Sequence, residues 1–165
     1  MKRGLKGRKV FYLGIDPAQN HIGFVLIDKD VKVLYSATQN IMNIHESFER
    51  AKEIIGDGFV VACIEKFSNM PIFKVCGSSA KQLQNEVKKY FRGRNIVFRF
   101  YPQEWRKKQF GKEGCNRKGT EHLKFVSIQY ARAMGFEPDD DNQSDGFHLA
   151  IVAKNEFNAT YLGKV

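Results

Sequence analysis

Apolar residues along this chain recur in two rhythms, and the alternation between them predicts most of its elements. Residues 10–15 (VFYLGI) form an unbroken apolar run, as a strand buried on both faces should. Residues 22–27 and 31–38 repeat the strand signal, and the short polar turn Asp28-Lys29-Asp30 between them predicts a hairpin. The rhythm then changes. Ile44, Phe48, Ala51 and Ile55 fall on one face of a helix over 44–55, which Gly56 stops.

Residues 60–65 (VVACIE) return to strand character. A loop over 66–78 leads to a helix over 80–91, with Ser79 and Gln82 in capping-box spacing and Gly93 just past its end. A fifth strand is expected over 96–101, and Pro102 opens a short helix that runs through Trp105 to Phe110. Thr120 is expected to cap a helix ending at Met134 and Gly135, and an acidic loop over 139–143 precedes a last helix over 144–157. This order predicts an α/β fold: a five-stranded mixed sheet, three antiparallel strands then two parallel, flanked by helices. Residues 10–165 read as one domain, preceded by a basic arm over 1–9.

Charge changes the picture more than composition does. Lys and Arg total 27 against 18 Asp and Glu, a net charge of +9. Between Lys81 and Lys118 there are twelve basic residues and three acidic ones, Glu86, Glu104 and Glu113. Such a surface attracts polyanions, because neutralising phosphates releases condensed counterions. A basic excess by itself also serves solubility. The three cysteines, Cys63, Cys76 and Cys115, are far apart and show no zinc-ligand spacing, and neither a signal peptide nor a membrane span is expected. A reducing cytoplasm fits these features.

Within this basic chain, certain acids stand where apolar runs end. Asp16 follows FYLGI, Glu65 closes VVACIE, and Asp145 precedes GFHLAIVA with Asp141 one turn upstream. If the first and fourth strands are parallel neighbours, Asp16 and Glu65 emerge together at the carboxyl edge of the sheet, where open α/β sheets bind ligands. Gathered carboxylates repel one another unless cations are supplied, and oxygen-only ligands favour magnesium or manganese over zinc. Two such ions ~4 Å apart activate a water and stabilise the leaving oxygen of a phosphodiester. Taken one at a time these residues have plainer readings. Asp16-Pro17 is a common turn opener, and Asp141 and Asp145 suit the first turn of any helix.

Together, GIDPAQNHIGF (residues 14–24), CIEKF (63–67) and DNQSDGFHLAIVA (141–153) resemble the motifs of the RuvC family of Holliday-junction resolvases. The segments CGSSAKQLQNEVKKYF and YPQEWRKKQFGKEGCNRKG between them also resemble the family, so the likeness runs from about residue 11 to residue 154. It implies an RNase H-like fold and a homodimeric endonuclease, dependent on two Mg2+ ions with Mn2+ able to substitute, that resolves four-way junctions by paired nicks. It implies Asp16, Glu65, Asp141 and Asp145 as metal-binding catalytic acids. It also implies Phe67, Phe73, Arg106, Lys107, Lys108, Arg117 and Lys118 as contacts to branched DNA, one phenylalanine stacking on unpaired bases. Some members carry the fourth acid three residues before the last aspartate. That position is Asn142 here, so Asp141, Asp140 and His148 all stand as alternatives.

The short basic chain and this altered motif point to a bacteriophage-type member, working in the cytoplasm of a bacterial host on junctions, forks and flaps alike. Other readings stay open: an RNA-directed nuclease resembling ribonuclease H or YqgF, and a branched-DNA-binding protein that does not cut.

Overall fold

A computed structural model of the chain describes residues 7–18, 21–66, 80–115 and 119–163. Five strands form one sheet: β1 (Val10–Pro17), β2 (His21–Ile27), β3 (Val33–Asn40), β4 (Phe59–Glu65) and β5 (Asn95–Phe100). Their order across the sheet is β3-β2-β1-β4-β5. The first three strands form an antiparallel meander, and β4 and β5 add parallel to β1, as the alternation of elements along the chain predicted.

Helices cover both faces: α1 (Ile44–Ile55) and α2 (Ala80–Tyr90) on one, and α3 (Pro102–Phe110), α4 (Thr120–Ala133) and α5 (Asp141–Phe157) on the other. Strand side chains alternate between faces. In β1, Phe11, Leu13 and Ile15 join the apolar cluster under α1 and α2, while Tyr12 joins the cluster under α5. Asp16 and Glu65 continue the second set, so the two-residue period puts both carboxylates on the α5 side. No helix among the described residues is long and apolar enough to cross a membrane.

Helix α5 lies unusually close to the sheet. A Cβ placed on Gly14 would sit 1.8 Å from the Gly146 carbonyl oxygen and 2.5 Å from the Ala150 nitrogen, and one on Gly23 would sit 2.0 Å from the Asn142 carbonyl oxygen. Two strand glycines therefore let the first turns of α5 rest directly on β1 and β2. That seating brings the start of α5 to the carboxyl end of β1.

Three boundaries differ from the sequence expectation. Strand β3 begins at Val33, not Val31, because the hairpin turn is longer. The Asp28 side chain accepts from the Asp30 and Lys32 amides at 2.9 and 3.0 Å, and Val31 takes a left-handed φ of 67°. Helix α4 is preceded by Gly119 as its N-cap, with no side-chain cap bond, so Thr120 is its first helical residue and not its cap. Helix α5 starts at Asp141, a turn before Ser144. Asp140 caps it, Oδ1 accepting from the Gln143 amide and from the Thr38 hydroxyl, each at 2.8 Å. The expected acidic loop over 139–143 is thus largely the cap and first turn of the helix. The Ser79 half of the anticipated capping box, and residues 1–6 of the basic arm, lie outside the described residues.

Candidate active site

The register of the two parallel strands brings the first pair of acids together. Ile15 of β1 aligns with Ile64 of β4, so Asp16 and Glu65 occupy the next step at the same sheet edge. The close seating of α5 adds Asp145 from above. All three are buried, with 8%, 5% and 7% of their surface exposed.

Burying like charges side by side is costly unless they are neutralised. Burial first, then the charges of Glu65, Asp145 and Asp141, pushes Asp16 well above the usual carboxylate range, with Arg106 opposing. Burial likewise raises Glu65 to about 7, against the pull of Arg106 and the hydrogen bond from Trp105. Asp145 is raised by burial too, although Arg106 and Ser127 favour its ionised form.

Protein donors orient two of the three acids. The indole Nε1 of Trp105, wholly buried on α3, donates to Glu65 Oε2 at 2.5 Å. Asp145 Oδ1 accepts from the Ser127 hydroxyl at 2.5 Å, and its Oδ2 accepts from an Arg106 guanidinium nitrogen at 2.9 Å. Arg106 also lies 4.9 Å from the Trp105 ring centre, so one short helix delivers both the indole and the cation. Asp16 has no side-chain hydrogen bond to the described residues. The least tethered acid is thus one that burial and its acidic neighbours push toward protonation.

Asp141 stands at the rim. Its carboxylate pairs with Lys124 of α4 at 3.1 Å, and its charge is felt by Asp16 and Asp145. The two alternatives to it are otherwise engaged. Asp140 is the α5 cap. His148 is fully buried between Phe110 and Phe147, with Nε2 2.9 Å from the Ser127 carbonyl oxygen.

Among the described residues, no three His, Cys, Asp or Glu side chains form a ready-made metal cage. The cation that the three buried acids share here is Arg106. The donor set nevertheless suits a hard divalent cation: every acid offers oxygen, and all three carry charge that burial penalises.

The basic and aromatic candidates separate into three groups. Arg106 turns inward onto the acids. Lys107 is exposed, and Lys108 is engaged at the surface with Glu156 at 2.7 Å, its Nζ 5.2 Å from the Phe100 ring centre. Phe67, Phe73, Arg117 and Lys118 lie outside the described residues. Sequence reasoning missed the inward turn of Arg106, the Trp105–Glu65 bond and the part of Ser127. Ser127 left one signal, a polar residue on the apolar face of α4 beside Val126 and Ala131. Nothing in the run RKK marked its first member as turned inward.

A 3-2-1-4-5 mixed sheet with acids at the ends of its first and fourth strands, and a further acid on a helix lying across them, defines an RNase H-like domain with an acidic site. Known structures share this architecture. RuvC of Thermus thermophilus in complex with a Holliday junction substrate matches with a TM-score of 0.59 at 14% identity, over 90% of this chain and 94% of that one. Fowlpox virus resolvase in complex with Holliday junction DNA matches with a TM-score of 0.51 at 13% identity, over 90% and 98%. No sequence-family model matches the chain, and no curated protein matches it in sequence. The likeness is therefore one of fold: the chain shares the RNase H-like architecture of these resolvase structures.

Proposed function

We propose that this chain is a divalent-metal-dependent endonuclease that resolves four-way and other branched DNA. One observation carries the reading: three buried carboxylates from β1, β4 and α5 meet at one sheet edge in a protein of net charge +9. An acidic centre in a basic chain suits a phosphodiester substrate, the lysines holding the phosphates that flank the cut. The two structural neighbours, both in complex with Holliday junction DNA, favour junctions over linear duplex.

In this reading Asp16, Glu65 and Asp145 hold the metal, with Asp141 at the rim as fourth acid. When bound, Mg2+ or Mn2+ lowers the pKa of water and stabilises the leaving oxygen. The chain's own residues do the rest. Trp105 keeps Glu65 Oε2 in place, and Asp16 has no side-chain hydrogen bond to the described residues. Arg106 neutralises the acids before substrate arrives, and its guanidinium can then donate to a phosphate oxygen. Paired nicks on opposite strands require two such sites, which a homodimer would supply.

The test is a labelled four-way junction incubated in Mg2+ and in EDTA, with linear duplex and an RNA–DNA hybrid in parallel. Symmetric nicks at the junction are expected in Mg2+ alone. Asp16→Asn should lower the rate by about 10³-fold or more while junction binding persists. Binding without cutting under any divalent metal would leave a branched-DNA-binding protein. Preferred cutting of the hybrid would make the chain an RNA-directed nuclease.

A further inference from the structure

Behind Asp145 lies a layer of polar residues that the proposed reaction does not itself use. The Ser127 hydroxyl sits 2.5 Å from Asp145 Oδ1 and 2.8 Å from the Ser144 hydroxyl, and both serines are wholly buried. A hydroxyl has one proton to give. An ionised Asp145 can only accept, so Ser127 donates to it and Ser144 donates to Ser127. The direction of the chain is fixed by the carboxylate at its end.

The main chain of Ser127 is held as well. His148 Nε2 lies 2.9 Å from its carbonyl oxygen, which can only accept, so the imidazole proton is on Nε2. His148 Nδ1 is then a bare acceptor, buried and without a partner among the described residues. Leaving such a group unpaired is costly. A purely apolar side chain between Phe110 and Phe147 would not carry that cost. What the imidazole adds is the bond to Ser127. Burial also pushes His148 down to about 4, so it stays neutral near pH 7.

We infer that Ser127 is a positioning residue for Asp145, braced through its hydroxyl by Ser144 and through its carbonyl by His148. The two oxygens of Asp145 are thereby divided. Oδ1 is bound to Ser127 of α4, and Oδ2 faces the Arg106 guanidinium of α3. Ser127 would hold Oδ1 in place whichever cation the acids face. This inference rests on the proposed metal-dependent reading of the site, where the supports behind a ligand commonly matter almost as much as the ligand itself.

The experiment uses the full chain and Mn2+ as the probe, with binding measured by calorimetry beside junction nicking. Ser127→Ala should weaken Mn2+ binding or slow nicking by about 10–100-fold, with junction affinity in EDTA unchanged. Ser127→Thr, which restores a hydroxyl, should recover part of the loss. His148→Phe, which keeps an aromatic ring and removes the Nε2 donor, should lose less in the same direction. Thermal unfolding of each variant separates misfolding from mispositioning. A folded Ser127→Ala protein with wild-type Mn2+ affinity and nicking rate overturns the inference and leaves the nuclease reading intact. A wild-type chain that takes up no Mn2+ and cuts nothing overturns both.

Discussion

The two faces of the sheet are built from different materials. Under α1 and α2 the packing is almost wholly apolar, with Leu13, Ile15, Phe24, Phe48, Val87 and Phe91 at its centre. The buried polar side chain there, Ser47, meets the Tyr35 hydroxyl at 3.1 Å. Under α3, α4 and α5, the apolar cluster is interleaved with Ser127, Gln143, Ser144, Asp145 and His148, and Asp16 and Glu65 face it from the sheet. One face supplies cohesion. The other gives some cohesion up to hold charged and polar groups in fixed places, each of which must be hydrogen-bonded or neutralised. The strands between them carry both tasks because successive residues point opposite ways.

The sharpest way to break this division is to damage the apolar face alone. Phe48 packs edge-on to Phe24 at 5.2 Å and stacks on Tyr90 at 4.9 Å. Phe48→Ala should cost ~3–5 kcal/mol of unfolding free energy, read by urea denaturation. The folded fraction should nick junctions at the wild-type rate. A rate loss beyond the loss of folded protein would show that the two faces are coupled, and the comparison would fail.

The converse change strikes the face that carries the site. Gly14→Ala puts a methyl into the backbone of α5 at Gly146, where no side chain can move aside. Helix α5 must shift, with an overpacking cost of ~1–3 kcal/mol, less than that of Phe48→Ala. Its rate loss should nevertheless be larger, about 10²-fold, because a displacement near 1 Å carries Asp145 away from Asp16. Equal losses in stability and rate would place Gly14 among ordinary packing positions.

The same division governs how much of the molecule was legible in advance. The apolar face reads directly. The continuous runs of β1 and β4 and the periodic face of α1 declare themselves, because local pattern and tertiary burial agree. Asp16, Glu65 and Asp145 were legible for a related reason, since each interrupts or closes such a run. The polar face reads poorly. Three consecutive aspartates, Asp139 to Asp141, are equivalent caps in sequence, and Thr38, 102 positions from Asp140, helps select the one that starts α5. Arg106 is one of three neighbouring bases, and only the tertiary placement of Asp145 turns it inward. Ser127 and His148 meet through a main-chain carbonyl, and such a bond leaves no trace in side-chain pattern.

The smallest expected effect tests the charge held on the polar face, through its dependence on pH. Glu65 is raised from its ordinary 4.5 to about 7, so the folded chain holds a proton that the unfolded chain has released. That contribution to stability is fully present below pH 4.5 and is lost as pH rises through about 7. His148, lowered from 6.5 to about 4, acts in the opposite sense: its contribution is present above pH 6.5 and is lost as pH falls toward 4. The two overlap in the wild-type curve, so the wild type alone does not separate them. Glu65→Gln does, because glutamine keeps an oxygen for the Trp105 indole and removes the titrating group. In EDTA the variant should gain stability relative to wild type as pH is raised from 4.5 through 7, read as a widening gap between their urea midpoints. Removing the Glu65 charge also relieves Asp16, which works in the same direction. Saturating Mg2+ should close the gap at pH 8, since a bound cation stabilises the ionised acids of the wild type and finds fewer in the variant. A gap that stays constant with pH in EDTA would mean that Glu65 is ionised in the metal-free fold, with Arg106 and Trp105 alone sufficient to keep it so.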